Sequence, residues 1–284
     1  MKRQHPTLSA TYQDFTKIQT FLPGRILSVL FACIALTLTF VSCERVIQLD
    51  LKNSTPKIVI QGNIYDQPGP YIVKISNSVN FDASSNYPPV TGAKVVITDN
   101  VSQNETLTET TAGTYLTSKL RGIPGRTYSL SVITGNETYL SSATMPYAVA
   151  IDSIYFSKSL FSGEKVTTVR ILDPPFIVNY YRLVYFINKI QQKIFYILDD
   201  GLFQGATIRY ALFSRGSDIK LAKGDLVSVW LESVDHGVYE YFRTAGSDEG
   251  ESASPANPVS NISNGALGYF NACSVRKISA RVDE

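Results

Sequence analysis

Gly92-Ala93-Lys94-Val95-Val96-Ile97-Thr98-Asp99, then Gly113-Thr114-Tyr115-Leu116, then Gly125-Arg126-Thr127-Tyr128-Ser129-Leu130-Ser131-Val132: these three runs identify the fold class. Each is short, rich in β-branched or aromatic residues, and entered through a glycine that permits a tight turn. None has a helical period. On the N-terminal side, Lys57-Ile58-Val59-Ile60-Gln61-Gly62 is a β-branched run closed by glycine, and Tyr71-Ile72-Val73-Lys74-Ile75 comes after the Gln67-Pro68-Gly69-Pro70 turn. Runs of this length, separated by Gly, Pro, Asn and Asp, predict a mainly β protein with an antiparallel sandwich up to Met145-Pro146.

The order of a Gly-Ala-x-Val strand, a Gly-x-Tyr strand and a Tyr-x-Leu-x-Val strand resembles an immunoglobulin-like or carboxypeptidase-regulatory-type sandwich. It is expected over residues 56–147. Tyr115 and Tyr128 are placed to fill its core while their hydroxyls stay near the edge. A second β-rich domain is expected over 148–284. Its strand candidates are Val166–Leu172, Tyr180–Ile190, Lys193–Leu198, Thr207–Phe213, Asp225–Val234 and Ser274–Val282. One helix interrupts them: Val234, Val238, Tyr241, Phe242 and Ala245 form an apolar stripe of helical period, with Asp235 to cap it and Gly246 to end it.

The first 42 residues read differently. Ile26 to Val41 is 16 residues without a charge, preceded by Lys2, Arg3, Lys17 and Arg25, and it ends in Ser42-Cys43. A membrane-spanning helix needs about 20 apolar residues, so the pattern reads as a secretory signal. Cys43 directly after Ser42 resembles a bacterial lipoprotein signal, in which that cysteine becomes the acylated first residue. An uncleaved signal-anchor or an ordinary cleaved signal, with Cys43 incidental, is the other reading. Residues 1–42 are thus expected as a signal peptide and 43–55 as a tether.

The chain carries 26 basic and 24 acidic residues; loss of the leader's four basic residues and Asp14 leaves 22 against 23. A near-neutral chain without a basic cluster gives no reason to expect a nucleic-acid partner. Of three cysteines, Cys33 lies in the leader and Cys43 is the acylation candidate, so Cys273 alone remains and no intramolecular disulfide is expected.

Little in the sequence points to catalysis. His236 is the one histidine after the leader, and with Cys273 it is too few for a zinc site. It reads as a surface or capping residue at the helix start. No dinucleotide or phosphate-cradling glycine motif is present, so no cofactor is expected. Asp199-Asp200 before Gly201 reads as a turn, with paired oxygen ligands for Ca2+ or paired carboxylates as alternatives. What remains is binding. Trp230, the one tryptophan among 17 Tyr and 14 Phe, is either a stacking platform for a glycan or peptide or a core residue. Tyr180 and Tyr181 are either a strand entry or a binding edge. The long loop 246–266, with Asn257 and Asn261, is either a recognition surface or a crossover.

Across the chain, a series of fragments resembles the domain-of-unknown-function 4249 family of Bacteroidota lipoproteins. The carriers are Cys43-Glu44, the strand ending Gln61-Gly62, Pro88–Val95, Leu120–Tyr128, Ala143–Pro146 and Ile151–Ile154. In the second half they are Asp199–Gly205, Gly224–Val229, and above all Pro255–Ile262 running into Gly265–Phe270. The resemblance implies an outer-membrane lipoprotein found near TonB-dependent receptors, with an accessory role in nutrient capture. An enzyme with an acidic site and an adhesion or structural module are the alternatives. Glu44 is followed by Arg45-Val46-Ile47 rather than by further acids, which leaves both faces of the outer membrane open.

Overall fold

A computed structural model describes residues 55–80, 86–159, 163–201, 205–213, 220–246 and 257–283. The expected signal peptide, the acylation site at Cys43 and the tether up to Ser54 lie outside the described residues. No helix among the described residues is long and apolar enough to cross a membrane.

The chain is mainly β. In its first half β1 (Ile58–Tyr65), β2 (Ile72–Asn77), β6 (Thr114–Leu116) and β5 (Thr108–Thr111) are neighbours in one sheet. A second sheet has the order β4 (Asn104–Thr106), β3 (Lys94–Asp99), β7 (Thr127–Thr134), β8 (Glu137–Thr144). Side chains of alternating positions from both sheets meet in one core that includes Ile60, Ile64, Val73, Ile75, Val95, Ile97, Leu130 and Val132. Tyr115 and Tyr128 are buried in it, as their positions in the sequence predict. The Tyr115 hydroxyl accepts from the Ala93 amide (3.0 Å) and donates to the Val90 carbonyl (3.2 Å). That of Tyr128 accepts from the Ile123 amide (2.7 Å) and donates to the Arg121 carbonyl (3.0 Å). Each ring therefore fills the core while its polar end ties down a segment leading into a strand, β3 for Tyr115 and its own β7 for Tyr128.

In the second half, β9 (Ala150–Lys158), β10 (Lys165–Leu172) and β13 (Thr207–Leu212) form a three-stranded sheet. It packs on β11 (Tyr180–Ile187), β12 (Ile190–Asp199), β14 (Leu226–Val234) and β15 (Leu267–Arg281) through Val169, Ile171, Leu183, Tyr185, Val229 and Leu231. Among the described residues there is one helix, α1 (His236–Gly246). Asp235 caps it as its place predicts, Oδ1 accepting from the Val238 amide at 3.0 Å.

The two halves are not paired separately. β15 runs parallel to β1 and antiparallel to β14, so the order β12-β11-β14-β15-β1-β2-β6-β5 is one eight-stranded sheet crossing the 147/148 division. The last strand, expected at Ser274–Val282, begins already at Leu267 and is one strand of 15 residues. Its middle is buried on both faces, because Phe270 and Ala272 enter the first core while Cys273 and Val275 pack under α1. The approach to β1 is close. A Cβ at Gly268 would lie 2.0 Å from the Ile60 carbonyl oxygen, and its φ of +97° is open to glycine; Gly62 leaves the room that the Phe270 ring occupies.

Candidate functional site

The alternation that sends Val95, Ile97, Tyr128, Leu130 and Val132 inward sends Val96, Thr98, Ser129 and Ser131 to the outer face of the four-stranded sheet. Register completes the surface. Val96 lies opposite Ser131 and Thr98 opposite Ser129; across the next ladder Ser131 lies opposite Leu140 and Ser129 opposite Ser142. The result is a patch of hydroxyls with two apolar side chains among them.

Residues 260–263 make it concave. Ile262 bridges to Ser141 beside the edge of β8, and the Ser263 amide donates to the Leu140 carbonyl at 2.8 Å. Two side chains suture the same edge: the Leu140 amide donates to Ser263 Oγ (2.8 Å), and Ser141 Oγ donates to the Asn261 carbonyl (2.7 Å). On the other side Asn261 replaces a strand, its Oδ1 accepting from the Phe270 amide (2.9 Å) and its Nδ2 donating to the Phe270 carbonyl (2.8 Å). Ser260 Oγ donates to the Gly268 carbonyl (2.8 Å). The segment is thus a fixed wall, and the groove it closes has a volume of about 830 Å3. Among the described residues no ionisable side chain lines it. Such a surface offers hydroxyl and backbone hydrogen bonds with apolar contact from Val96, Leu140 and Ile262, the chemistry that suits an uncharged ligand.

The residues singled out in the sequence are dispersed. Asn261 borders the groove, yet both ends of its amide are held by Phe270, so its work is to build the wall; Asn257 is exposed upstream of it. Trp230 is half-buried on the sheet face that carries α1. Lys277 Nζ sits 3.6 Å from its ring centroid and the Phe186 ring 4.7 Å away, so a cation covers the face that the stacking-platform reading, one of the two, would use. Tyr180 stacks in an aromatic group with Tyr239 (4.7 Å) and His236 (5.3 Å). The Tyr239 hydroxyl donates to Asp199 Oδ2 at 2.8 Å, and burial with that bond pushes the phenol up to about 12. Tyr181 is in the second core, fully buried, its hydroxyl donating to Asp173 Oδ1 at 2.5 Å, which corrects its placement at a binding edge.

Asp199 and Asp200 part company at the end of β12, as adjacent residues leaving a strand do. Asp199 accepts from the Gly201 amide and from Tyr239, whereas Asp200 is buried and accepts from the Asn179 amide at 2.8 Å. The turn reading describes them, and the paired arrangement needed for joint Ca2+ ligation or acid–base work is not formed. Among the described residues no group of three His, Cys, Asp or Glu side chains is placed to hold a metal ion. His236 is exposed beside the cap, its Nε2 3.7 Å from Glu240.

A second polar centre lies beneath α1. Arg182 and Glu232 face each other across β11 and β14 with Nη1 and Oε2 2.9 Å apart, and the guanidinium lies 4.1 Å from the Phe242 ring centroid. Burial pushes the Glu232 carboxyl up against the pull of Arg182. Enclosed by α1 and the sheet, this pair serves the fold rather than a ligand.

Residues of the groove give no signal in the sequence, because isolated serines on alternating positions read as a solvated face. Register alone aligns Thr98, Ser129 and Ser142 in one row. A family model described as Domain of unknown function (DUF4249) matches residues 44–279, most of the chain. No curated protein matches it.

Proposed function

The chain belongs to the DUF4249 family, and on that footing we propose that it is an exported lipoprotein, held on the outer membrane through an acylated Cys43, that binds an uncharged glycan or peptide in the groove and serves a TonB-dependent receptor as a non-catalytic accessory subunit. The groove carries this reading. It is hydroxyl-lined and, among the described residues, without charge, it is walled by a segment tied to two strands, and it sits on a rigid sandwich, the setting in which recognition surfaces commonly occur. The sequence supports the anchor through the uncharged run ending in Ser42-Cys43. Several acyl chains on one residue, each buried CH2 worth about 0.8 kcal/mol, hold a protein on a membrane persistently.

The test is a co-purification from crosslinked cells with a C-terminal tag. A stoichiometric TonB-dependent receptor, lost with the Cys43→Ala chain, is the expected result; recovery of the chain alone refutes the accessory role. For the groove, Ser131→Trp fills the cavity from its floor. It is expected to abolish binding in a glycan and peptide screen while leaving the thermal midpoint within a few degrees of the parent's, and unchanged binding refutes the assignment.

A further inference from the structure

The wall and the floor of the groove use their hydroxyls differently. Along the wall, Ser260 Oγ donates to the Gly268 carbonyl (2.8 Å) and Ser263 Oγ accepts from the Leu140 amide (2.8 Å). At the edge of β8, Ser141 Oγ donates to the Asn261 carbonyl (2.7 Å), so these three hydroxyls are spent on holding the segment in place. Thr127 and Thr144, at the margin of the same sheet face, share a 2.9 Å hydrogen bond between their own hydroxyls. The floor is another matter. Among the described residues, the hydroxyls of Thr98, Ser129, Ser131 and Ser142 bond to no protein group, and all four line the groove.

Register arranges them. Thr98, Ser129 and Ser142 lie opposite one another on β3, β7 and β8 as one row across the strands, and Val96, Ser131 and Leu140 form the next. Strands ~4.8 Å apart spread the first row over about 10 Å, and a two-residue rise sets the second row ~6.6–6.8 Å from it. The first row is hydroxyl throughout. The second has Val96 and Leu140 at its ends, and Ile262 of the wall stands next to Leu140, opposite Ser141. A polar strip and an apolar strip therefore run side by side along the floor.

Each free hydroxyl can give one hydrogen bond and take two, so a matching ligand has polar groups that both donate and accept, with apolar surface beside them. An extended peptide fits poorly. Its N–H groups only donate, its carbonyls only accept, and both lie along its edges, where the edge of a strand satisfies them. The stretch of β8 edge beside the groove is already taken by residues 261–263. A sugar meets both demands, since its hydroxyls surround the ring and its C–H groups make apolar faces. A row about 10 Å long and a groove of about 830 Å3 give room for several rings. An acidic group on that chain would lose its water with no cation on the lining, among the described residues, to replace it.

We infer that the groove is a site for a short neutral oligosaccharide, laid along Thr98, Ser129 and Ser142 with C–H surface against Val96, Leu140 and Ile262; this rests on the groove reading above and narrows it to one ligand class.

The experiment screens the full exported chain, in mild detergent, against neutral oligosaccharides, the same chains carrying uronic acids, and uncharged end-capped peptides, with calorimetry on every hit. The expected result is binding of a neutral oligosaccharide that Ser131→Trp abolishes and that the uronic acid form matches only with roughly tenfold or more loss of affinity. Ser129→Ala and Ser142→Ala remove a hydroxyl and fill nothing, and each is expected to weaken binding by roughly three- to tenfold. Peptide binding that Ser131→Trp abolishes, with no saccharide bound, overturns this inference and leaves the groove reading standing. A saccharide held equally by the Ser131→Trp chain lies elsewhere and overturns both. A panel without a saccharide hit overturns the inference, as do equal affinity for the uronic acid form and serine-to-alanine chains that bind as tightly as the parent.

Discussion

Removal of Arg182 tests the account of the buried pair beneath α1. Arg182→Met leaves the Glu232 side chain, 2% exposed, without its cation in an apolar surround of Phe195, Phe242 and Val275. Breaking such a pair costs about 3–5 kcal/mol, because an uncompensated buried charge remains. Glu232→Leu strands the guanidinium in the same way. The double variant Arg182→Met/Glu232→Leu removes both charges, and replacing a whole buried pair by apolar residues is often neutral or stabilising. The geometry favours that outcome, since Arg182 Nε is buried without a hydrogen-bond partner and the native pair is only partly satisfied. A coupling energy of at least about 2 kcal/mol is therefore expected in the double-mutant cycle. The assay is urea unfolding followed by the fluorescence of Trp230, the only tryptophan, two residues from Glu232 on the same face of β14. With a slope of about 3 kcal/mol per M, each single variant loses ~1–1.7 M in midpoint and the double variant returns close to the parent. Single losses below about 1 kcal/mol, or a double variant that loses the sum of the two, would overturn this account of the pair.

Three further outcomes are expected of the same structure. Gly268→Ala drives a Cβ to within 2.0 Å of the Ile60 carbonyl and is expected to cost more than about 2 kcal/mol by parting β15 from β1, seen as a lowered thermal midpoint; an Ala variant as stable as the parent refutes the close approach. Asp235→Ala removes the α1 cap and the acceptor of the Thr144 amide, and is expected to cost about 1–2 kcal/mol in urea unfolding, while Asp235→Asn keeps most of it. On the acid side, burial raises Asp99 and Glu105, but amides of Gln103 and Val101 with Arg126 outweigh it for Asp99, as do Ser118, Leu120 and Lys119 for Glu105, so both carboxyls end below their ordinary values. Depressed folded values mean stability that is present above about pH 4 and lost as pH falls through them, so Asp99→Asn and Glu105→Gln should flatten the pH dependence of the thermal midpoint below pH 4.

Much of the strand layout is legible because β-branched runs and turn residues act locally. Lys94–Thr98, Thr127–Val132 and Asp225–Val234 lie within or almost within β3, β7 and β14. The stripe from Val234 to Ala245 and the cap at Asp235 locate α1 for the same reason: helical period and capping are settled within a few residues. β4, β5 and β8 give no comparable signal. Their sequences are polar, as in Glu137-Thr138-Tyr139, and hold strand geometry through their neighbours rather than through their own apolar pattern. Tyr181 escapes a sequence reading because an aromatic at a strand entry looks the same whether its strand ends at a surface or beneath a loop such as 173–179.

A mainly β chain, its turns, the face each side chain of a strand takes, and the lone helix with its cap are all written in the sequence, since they arise from periods of two and 3.6 and from residue-specific backbone preferences. That the last strand closes on the first across some 200 residues emerges only once the chain is folded. This pairing rests on backbone hydrogen bonds, which carry no side-chain signature, and on the space left by Gly62 and Gly268. The groove has the same origin, because a row of hydroxyls becomes a site only when register aligns three strands and Asn261 pins a distant segment along their edge.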